Sequence, residues 1–187
     1  CRKMGRGRQE VRVFRWVRER LGQGRAALPD LAPVTLEPIG WVRNGVRRPS
    51  RTRDWRAVRS ELVLREELAE ALLGLEAYSH VLVLTWLHLV GPEERRLRRI
   101  HPQGDARYPL QGVLALRTPA RPNPIGVTAA RLLAVRGTVL EVAGLDAVHG
   151  TPVLDVKPYL PQYDAVPEAR TPDWGRRARP DGGKSHA

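Results

Sequence analysis

The chain has one cysteine in 187 residues, Cys1, which excludes an internal disulfide framework and every zinc or iron–sulfur site built from several thiolates. Free of disulfides, it suits a reducing interior, and the cytoplasm is the simplest address. Long apolar runs are missing as well. The longest, Val81 to Leu89, contains Thr85 and His88 and falls far short of the roughly 18 apolar residues a bilayer crossing needs, so no membrane association is expected. Serine is scarce: Ser50, Ser60, Ser79 and Ser185 are the four, none in a Gly-x-Ser-x-Gly setting. Neither a Walker loop nor His-Glu-x-x-His occurs, and the five histidines lack ligand spacing, so no metal is expected. His80 and His88, an even number apart on one apolar run, would share a strand face.

Lysine is nearly absent. Lys3, Lys157 and Lys184 are the three, so 29 of the 32 basic residues are arginine against 20 acids, giving a net charge of +12 and a pI near 11.1. Such a balance favours a polyanion such as RNA, and arginine forks onto phosphate and stacks on bases better than an ammonium does. A GC-rich genome would also write arginine for lysine, which explains the choice of base but not the excess of charge. The excess is uneven: residues 1–33 carry nine basic and three acidic side chains, residues 34–164 carry 18 and 14, and residues 165–187 carry five and three. The first segment reads as a basic appendage, non-native or disordered, in which Val13, Phe14, Val17 and Leu21 would form one short helical stripe ending at Gly22. The last, with Pro167, Pro172, Pro180 and Gly182-Gly183, has the composition of a flexible, disordered tail.

Between these ends, period-two alternation and short apolar runs bounded by Gly and Pro predict strands near Thr35–Arg43, Arg59–Leu64, His80–His88, Leu110–Arg117, Gly126–Val135, Thr138–Leu145 and Val153–Lys157. Arg136-Gly137 predicts a hairpin turn, and Leu68, Leu72, Leu73 and Leu75 predict one helix over Glu66–Leu75. Seven strands with one helix point to a mainly β, closed or curled sheet, because βαβ units would need a helix between most strands. Gly22-x-Gly24-x-x-Ala27 matches the dinucleotide pattern in letters alone, since it does not stand between a strand and a helix.

Two stretches stand out. From Arg117 to Gly126 three prolines in six residues forbid helix and ladder alike, leaving a stiff connector that displays Arg117, Arg121 and Asn123 with little entropy to lose on binding. From Gly144 to Tyr159 a strand leaves Asp146 at its end, Gly150-Thr151-Pro152 redirects the chain, and a second strand places Asp155 and Lys157 on one face, close enough to pair. A strand-end aspartate can accept hydrogen bonds from sugar hydroxyls or an amine, or cap the turn beside it.

These two stretches, together with Gly74-Leu75-Glu76-Ala77-Tyr78-Ser79-His80, resemble the TsaA-like (TrmO-type) family over about Leu36 to Asp164. The resemblance implies a single-sheet β-barrel with short helices, working as a homodimer with its cofactor site near the subunit interface. It implies S-adenosylmethionine as cofactor and tRNA as partner, the methyl going to N6 of a threonylcarbamoylated adenosine beside the anticodon. It also implies cofactor contacts from His88, Leu89, Arg117, Val127, Gly144, Leu145 and Asp146, with a further one from the Arg48–Trp55 loop. Ala120, His149 and Arg48-Pro49-Ser50-Arg51 depart from the commoner family pattern, which leaves the substrate more open than the cofactor. A family methyltransferase with another substrate and a non-catalytic RNA-binding barrel are the alternatives. For chemistry, an adenine amine needs an acceptor for its proton, and Asn123 and Asp155 are the candidates. Arg121, Arg47 and Arg48 are the candidate substrate contacts.

Overall fold

A computed structural model describes residues 32–50 and 53–173; the stripe expected at Val13–Leu21 and most of the tail lie outside them. Among the described residues there are eight strands: β1 Gly40–Arg43, β2 Arg59–Leu64, β3 His80–Trp86, β4 Arg99–Ile100, β5 Gln111–Gly112, β6 Ile125–Arg136, β7 Val139–Ala143 and β8 Pro152–Pro158. Six of them close into one antiparallel barrel in the order β1-β2-β7-β6-β3-β8, the single-sheet barrel expected, while β4 and β5 make a separate two-stranded ribbon.

The inward residues follow the alternation. Leu62 and Leu64 of β2, Val81 and Val83 of β3, Leu140 and Val142 of β7 and Val42 of β1 meet in one core with Val153, Leu132 and Leu145. Each such side chain, once fully buried, contributes about 1.5–3 kcal/mol. Closure leaves no free sheet edge, so the barrel needs no covering layer. The β8 register slips opposite Leu84 and Thr85: Thr85 pairs with Val153 and Leu84 with Asp155, so Leu154 is an extra residue. The bulge reverses the phase of β8. Val153 and Val156 both face partners in the core rows, and Asp155 and Lys157 turn outward, where their charges meet at 2.6 Å.

Two expected elements take another form. The alternation of Leu110–Arg117 does not give a seventh barrel strand: only Gln111–Gly112 pair, with β4, and Val113–Ala115 form a 3-10 turn. The barrel is already closed without that stretch, so its alternating residues have no neighbour to join. The expected helix at Glu66–Leu75 is two 3-10 turns, Glu66–Leu72 and Leu75–Ala77, broken at Gly74 with φ +85°. Its apolar side anchors through Leu72 while Leu73 is exposed, too little burial to hold a full α-helix. β3 also stops at Trp86, so His88 lies in the following turn and shares no strand face with His80.

Gly40 is required by close approach. A Cβ there would stand 2.3 Å from the Val63 carbonyl oxygen and 2.8 Å from Leu64 Cα, both main-chain atoms that cannot swing away. At Gly45 a Cβ meets nothing within 4 Å. Gly40→Ala is therefore expected to destabilise by about 1–3 kcal/mol or more in urea unfolding, and Gly45→Ala to stay within about 0.5 kcal/mol of wild type. Equal effects would show that β1 does not press on β2 as described.

Candidate functional site

The antiparallel register decides where the connections go. Arg59 pairs with Ala143, Ala143 with Arg131, Trp86 with Ile125, Thr85 with Val153 and Trp41 with Pro152. The end of β1, the start of β2, the ends of β3 and β7 and the starts of β6 and β8 thus form one end of the barrel. Three connections cross that end: residues 44–58, 87–124 and 144–151. They hold every sequence-predicted site residue except Val127, which stands two residues into β6, and Asp155.

β6 is much longer than β7, and residues Ile125–Ala130 pair with β3 alone because the β7 ladder begins at Arg131. Where β7 stops, Gly144 turns the chain with φ +85°, a conformation glycine accepts at little cost, and its N–H donates to the Val58 carbonyl at 3.1 Å. Leu145 then drives its side chain into the core, 1% exposed, so anything bound outside can meet only its main chain. Asp146 comes next, its side chain reaching solvent again.

Arg117 reaches back from the proline loop to this gap and donates from Nη2 to the Val127 carbonyl at 2.5 Å. It also lies near enough to act on Asp146. Burial pushes the Asp146 carboxyl above its ordinary value of 3.8, and the Arg117 guanidinium opposes that rise. Asp146 is exposed, yet protein crowds it enough to disfavour its charge. A carboxylate and a guanidinium within electrostatic reach of each other can divide a zwitterion between them. Exposed Leu89 and Val127 add apolar surface at the same end. The acid thus suits hydroxyls or an amine, the base a carboxylate, and the apolar pair a flat ring.

The other predicted residues fall as follows. His88 and Leu89 form an exposed turn, held to the proline loop where the Leu87 N–H donates to the Pro124 carbonyl at 2.8 Å. Asn123 is exposed, with its main-chain carbonyl accepting from the Ile125 N–H at 2.8 Å and its side chain open. Arg47 and Arg48 are exposed on the first connection. Arg121 is half-buried, and its Nη2 donates to the Leu116 carbonyl at 2.6 Å and more weakly to that of Val113. Its guanidinium holds the peptide just before Arg117. Asp155 lies level with Val127 but round the outer wall from it, two strands from β6 in the row Asp155–Leu84–Val127, about 10 Å away by strand spacing. It accepts from the Val156 N–H and pairs with Lys157.

Sequence reasoning missed Asn44. Its Nδ2 donates to Ser60 Oγ and to the Ala147 carbonyl, both at 2.9 Å, and its Oδ1 accepts from the Val46 N–H. The His149 N–H donates to the Val46 carbonyl at 2.7 Å and the Gly150 N–H to that of Val42. One side chain therefore joins the first connection, β2 and the residue after Asp146. The dipeptide Asn44-Gly45 is a turn signal, and a turn is all the letters convey. A shallow hollow lined by Pro38, Gly40, Trp41, Val63, Leu64 and Arg65 holds none of the predicted residues. Among the described residues no group of three metal ligands occurs, and no helix is long and apolar enough to cross a membrane.

Because the folded chain keeps the Asp146 proton to higher pH than the unfolded chain, ionising Asp146 works against folding. Its contribution falls as pH rises from about 3.8 through the elevated value. Asp146→Asn should therefore be at least as stable as wild type at neutral pH, with a flatter dependence of its urea midpoint between about pH 4 and 7. A less stable variant at neutral pH would make the carboxylate a structural cap. Separately, Arg121→Ala should loosen the Arg117 loop, read as faster amide exchange from Val113 to Ala120 with the barrel strands unchanged.

Residues 43–165 match the family described as the tRNA-methyltransferase O N-terminal domain. The chain is 39% identical over 140 residues to a probable S-adenosyl-L-methionine-binding protein of Methanothermobacter thermautotrophicus, spanning 71% of this chain and 95% of that protein. It is 36% identical over 149 residues to a human tRNA (adenine(37)-N6)-methyltransferase, spanning 74% of this chain but 33% of the human protein. A crystal structure of TrmO from Pseudomonas aeruginosa superposes with a TM-score of 0.59 at 34% identity, over 74% of this chain and 62% of that one. The chain thus spans nearly all of the archaeal relative, a third of the human one and less than two thirds of the solved structure. With its barrel, proline connector and strand-end acid all in place, the chain belongs to the TrmO family through that family's N-terminal domain.

Proposed function

We propose that this domain is an S-adenosylmethionine-dependent methyltransferase that modifies N6 of adenosine in tRNA, and that the adenosine is the threonylcarbamoylated one beside the anticodon. The observation that carries the reading is that the proline loop holding Arg117 and the Gly144–Asp146 turn come to the one barrel end where three connections cross, with Arg117 anchored on the Val127 carbonyl. Support comes from the relatives, one group named for binding S-adenosyl-L-methionine and another for methylating adenine 37 of tRNA.

The residues present fit the cofactor. Asp146 would take its ribose hydroxyls or amino group, Arg117 its carboxylate, Leu89 and Val127 its adenine, and the main chain of Gly144 and Leu145 its remaining polar edges; His88 closes the same turn as Leu89. When bound it supplies a methyl already activated on a sulfonium, so the protein is asked mainly for position, which can be worth about 7 kcal/mol or more. Asn123 stands on the stiff loop with its amide oxygen open, and from there it would accept a hydrogen bond from the ureido N6–H and orient the nitrogen toward the methyl, the N6 proton passing to water as the N–CH3 bond forms and the S–CH3 bond breaks. Asp155, tied to Lys157 on the outer wall, is the more remote acceptor. Arg117 stays fixed during the reaction because Val127 and the Arg121-braced peptide hold both of its ends. A second copy of the chain would close the open rim, whose exposed Leu110 and Leu114 suit an apolar contact; a monomeric mass by light scattering would overturn the dimer. We place the activity in the cytoplasm, where tRNA and the cofactor meet.

Mass spectrometry of nucleosides from tRNA incubated with the chain and cofactor tests the reading: the methylated threonylcarbamoyl nucleoside is the expected product. Another methylated adenosine would move the substrate, and calorimetry showing no cofactor binding would leave only an RNA-binding barrel. Asp146→Asn should weaken cofactor binding about 10- to 100-fold, the loss of a charged hydrogen bond. Asn123→Ala should lower kcat at least tenfold with the cofactor Kd unchanged; a wild-type rate would remove its role.

A further inference from the structure

Residues 47–59 carry six arginines and one aspartate. Arg51 lies outside the described residues; Arg47, Arg48, Arg53, Arg56 and Arg59 are all exposed. Among the described residues none of these five makes an ion pair. The one acid, Asp54, uses its carboxylate to accept from the Arg56 N–H at 3.0 Å and so starts the 3-10 turn Trp55–Ala57. By contrast Arg43, Arg65, Arg96, Arg107 and Arg136 each face a carboxylate of this chain, while the other exposed arginines without one, Arg98, Arg99, Arg131 and Arg170, are not gathered beside the Gly144–Asp146 turn. Arginines gathered without counter-charges repel one another, and the repulsion is relieved by an anion from outside.

The segment is also held in place. Asn44 bonds its start to Ala147, the Gly144 N–H bonds its far end at Val58, and Arg56 Cα lies 4.0 Å from where a Gly144 Cβ would be. Arg53 rests over the half-buried Trp55 ring at 5.9 Å, which limits its freedom before any partner arrives. Arg53, Arg56 and Arg59 therefore stand on a fixed margin beside Gly144–Asp146. We propose that this margin is where the RNA backbone lies: Arg53, Arg56 and Arg59, with Arg47 and Arg48, contact successive phosphates while the target base turns toward the end of the barrel that carries Arg117 and Asp146. The identity of the RNA as tRNA rests on the function proposed above. A membrane is the poorer fit, since the segment has a three-residue turn in place of an amphipathic helix and presents no apolar side to insert.

The test is fluorescence anisotropy of labelled tRNA with the full chain across a salt series. Arg56→Ala/Arg59→Ala should weaken binding and make the slope of log K against log salt shallower by about 1–2, since each lost phosphate contact removes about 0.7–0.9. At saturating tRNA its kcat should match wild type while KM rises, and cofactor binding by calorimetry should not change. Arg96→Ala/Arg107→Ala, which removes two arginines paired elsewhere, should keep the wild-type slope. The proposal is overturned if the first double variant keeps the wild-type affinity and slope, if both double variants lose slope equally, or if the wild-type chain binds phosphatidylglycerol vesicles and not tRNA. A shallower slope without any methyl transfer would sink the proposed activity and leave this surface standing.

Discussion

Antiparallel closure of six strands is the constraint on which the rest depends. In such a ring, each strand's end lies beside its neighbour's beginning, so connections alternate between the two ends of the barrel. Here the short β6–β7 hairpin and the β2–β3 turns fall at one end, and residues 44–58, 87–124 and 144–151 fall at the other. Arg117 and Asp146 are 29 positions apart in the sequence, yet the ring brings the connections that carry them to the same end of the barrel. A site on loops can remain accurate because the wall behind it is rigid, with Leu145, Val142 and Leu132 packed in the core under the residues that face outward.

The same wall places Asp146 under tension. Burial disfavours its charge, and Arg117 only partly offsets that cost, so the fold would be relieved by a neutral side chain there. Asn44 belongs to the same account. Its bonds to Ala147 and Ser60 fix the peptide next to Asp146, so the strained acid is held by a network that is itself satisfied.

Much of this is legible in the letters. Alternation in Arg59–Leu64 and Val81–Trp86 reads correctly because each strand has a core on one side, and proline spacing reads correctly because it acts through local sterics. What fails is whatever depends on a partner. Residues 113–117 alternate as well as any strand, but pairing is a property of two segments, and the ring is complete without them. The Glu66–Leu75 stretch has the apolar spacing of a helix, yet Leu73 finds no core and Gly74 takes a positive φ, so tighter turns replace it. The Leu154 bulge hides in the spacing of Val153 and Val156, three apart, which shows its meaning only once both are seen to face the interior rows. At the site, the acid and the proline loop are visible and Asn44 is not, because a side chain that ties three backbones together leaves no period.

Arginine illustrates why charge arithmetic alone says so little about function. Twenty-nine arginines give this chain its sign, but their roles separate by what lies within reach of each guanidinium. Arg121 spends its donors on main-chain carbonyls, and although the sequence suggests a phosphate contact there, its buried Nε has no acceptor and its Nη2 is occupied. Arg117 shares itself between the Val127 carbonyl and the field of Asp146, so it can meet a ligand without losing its place. Arg43, Arg96 and Arg136 are neutralised by their own chain's acids, and such exposed pairs add little, about 0–1 kcal/mol each. Among the described residues, Arg47, Arg48, Arg53, Arg56 and Arg59 have no carboxylate of this chain to absorb their charge; Arg99, Arg131 and Arg170 have none either, but Arg56 and its neighbours are the ones set beside Gly144. An excess that the fold does not consume is the part of the charge available to a partner, and the register of the barrel has set that part beside the acid that the fold would rather do without.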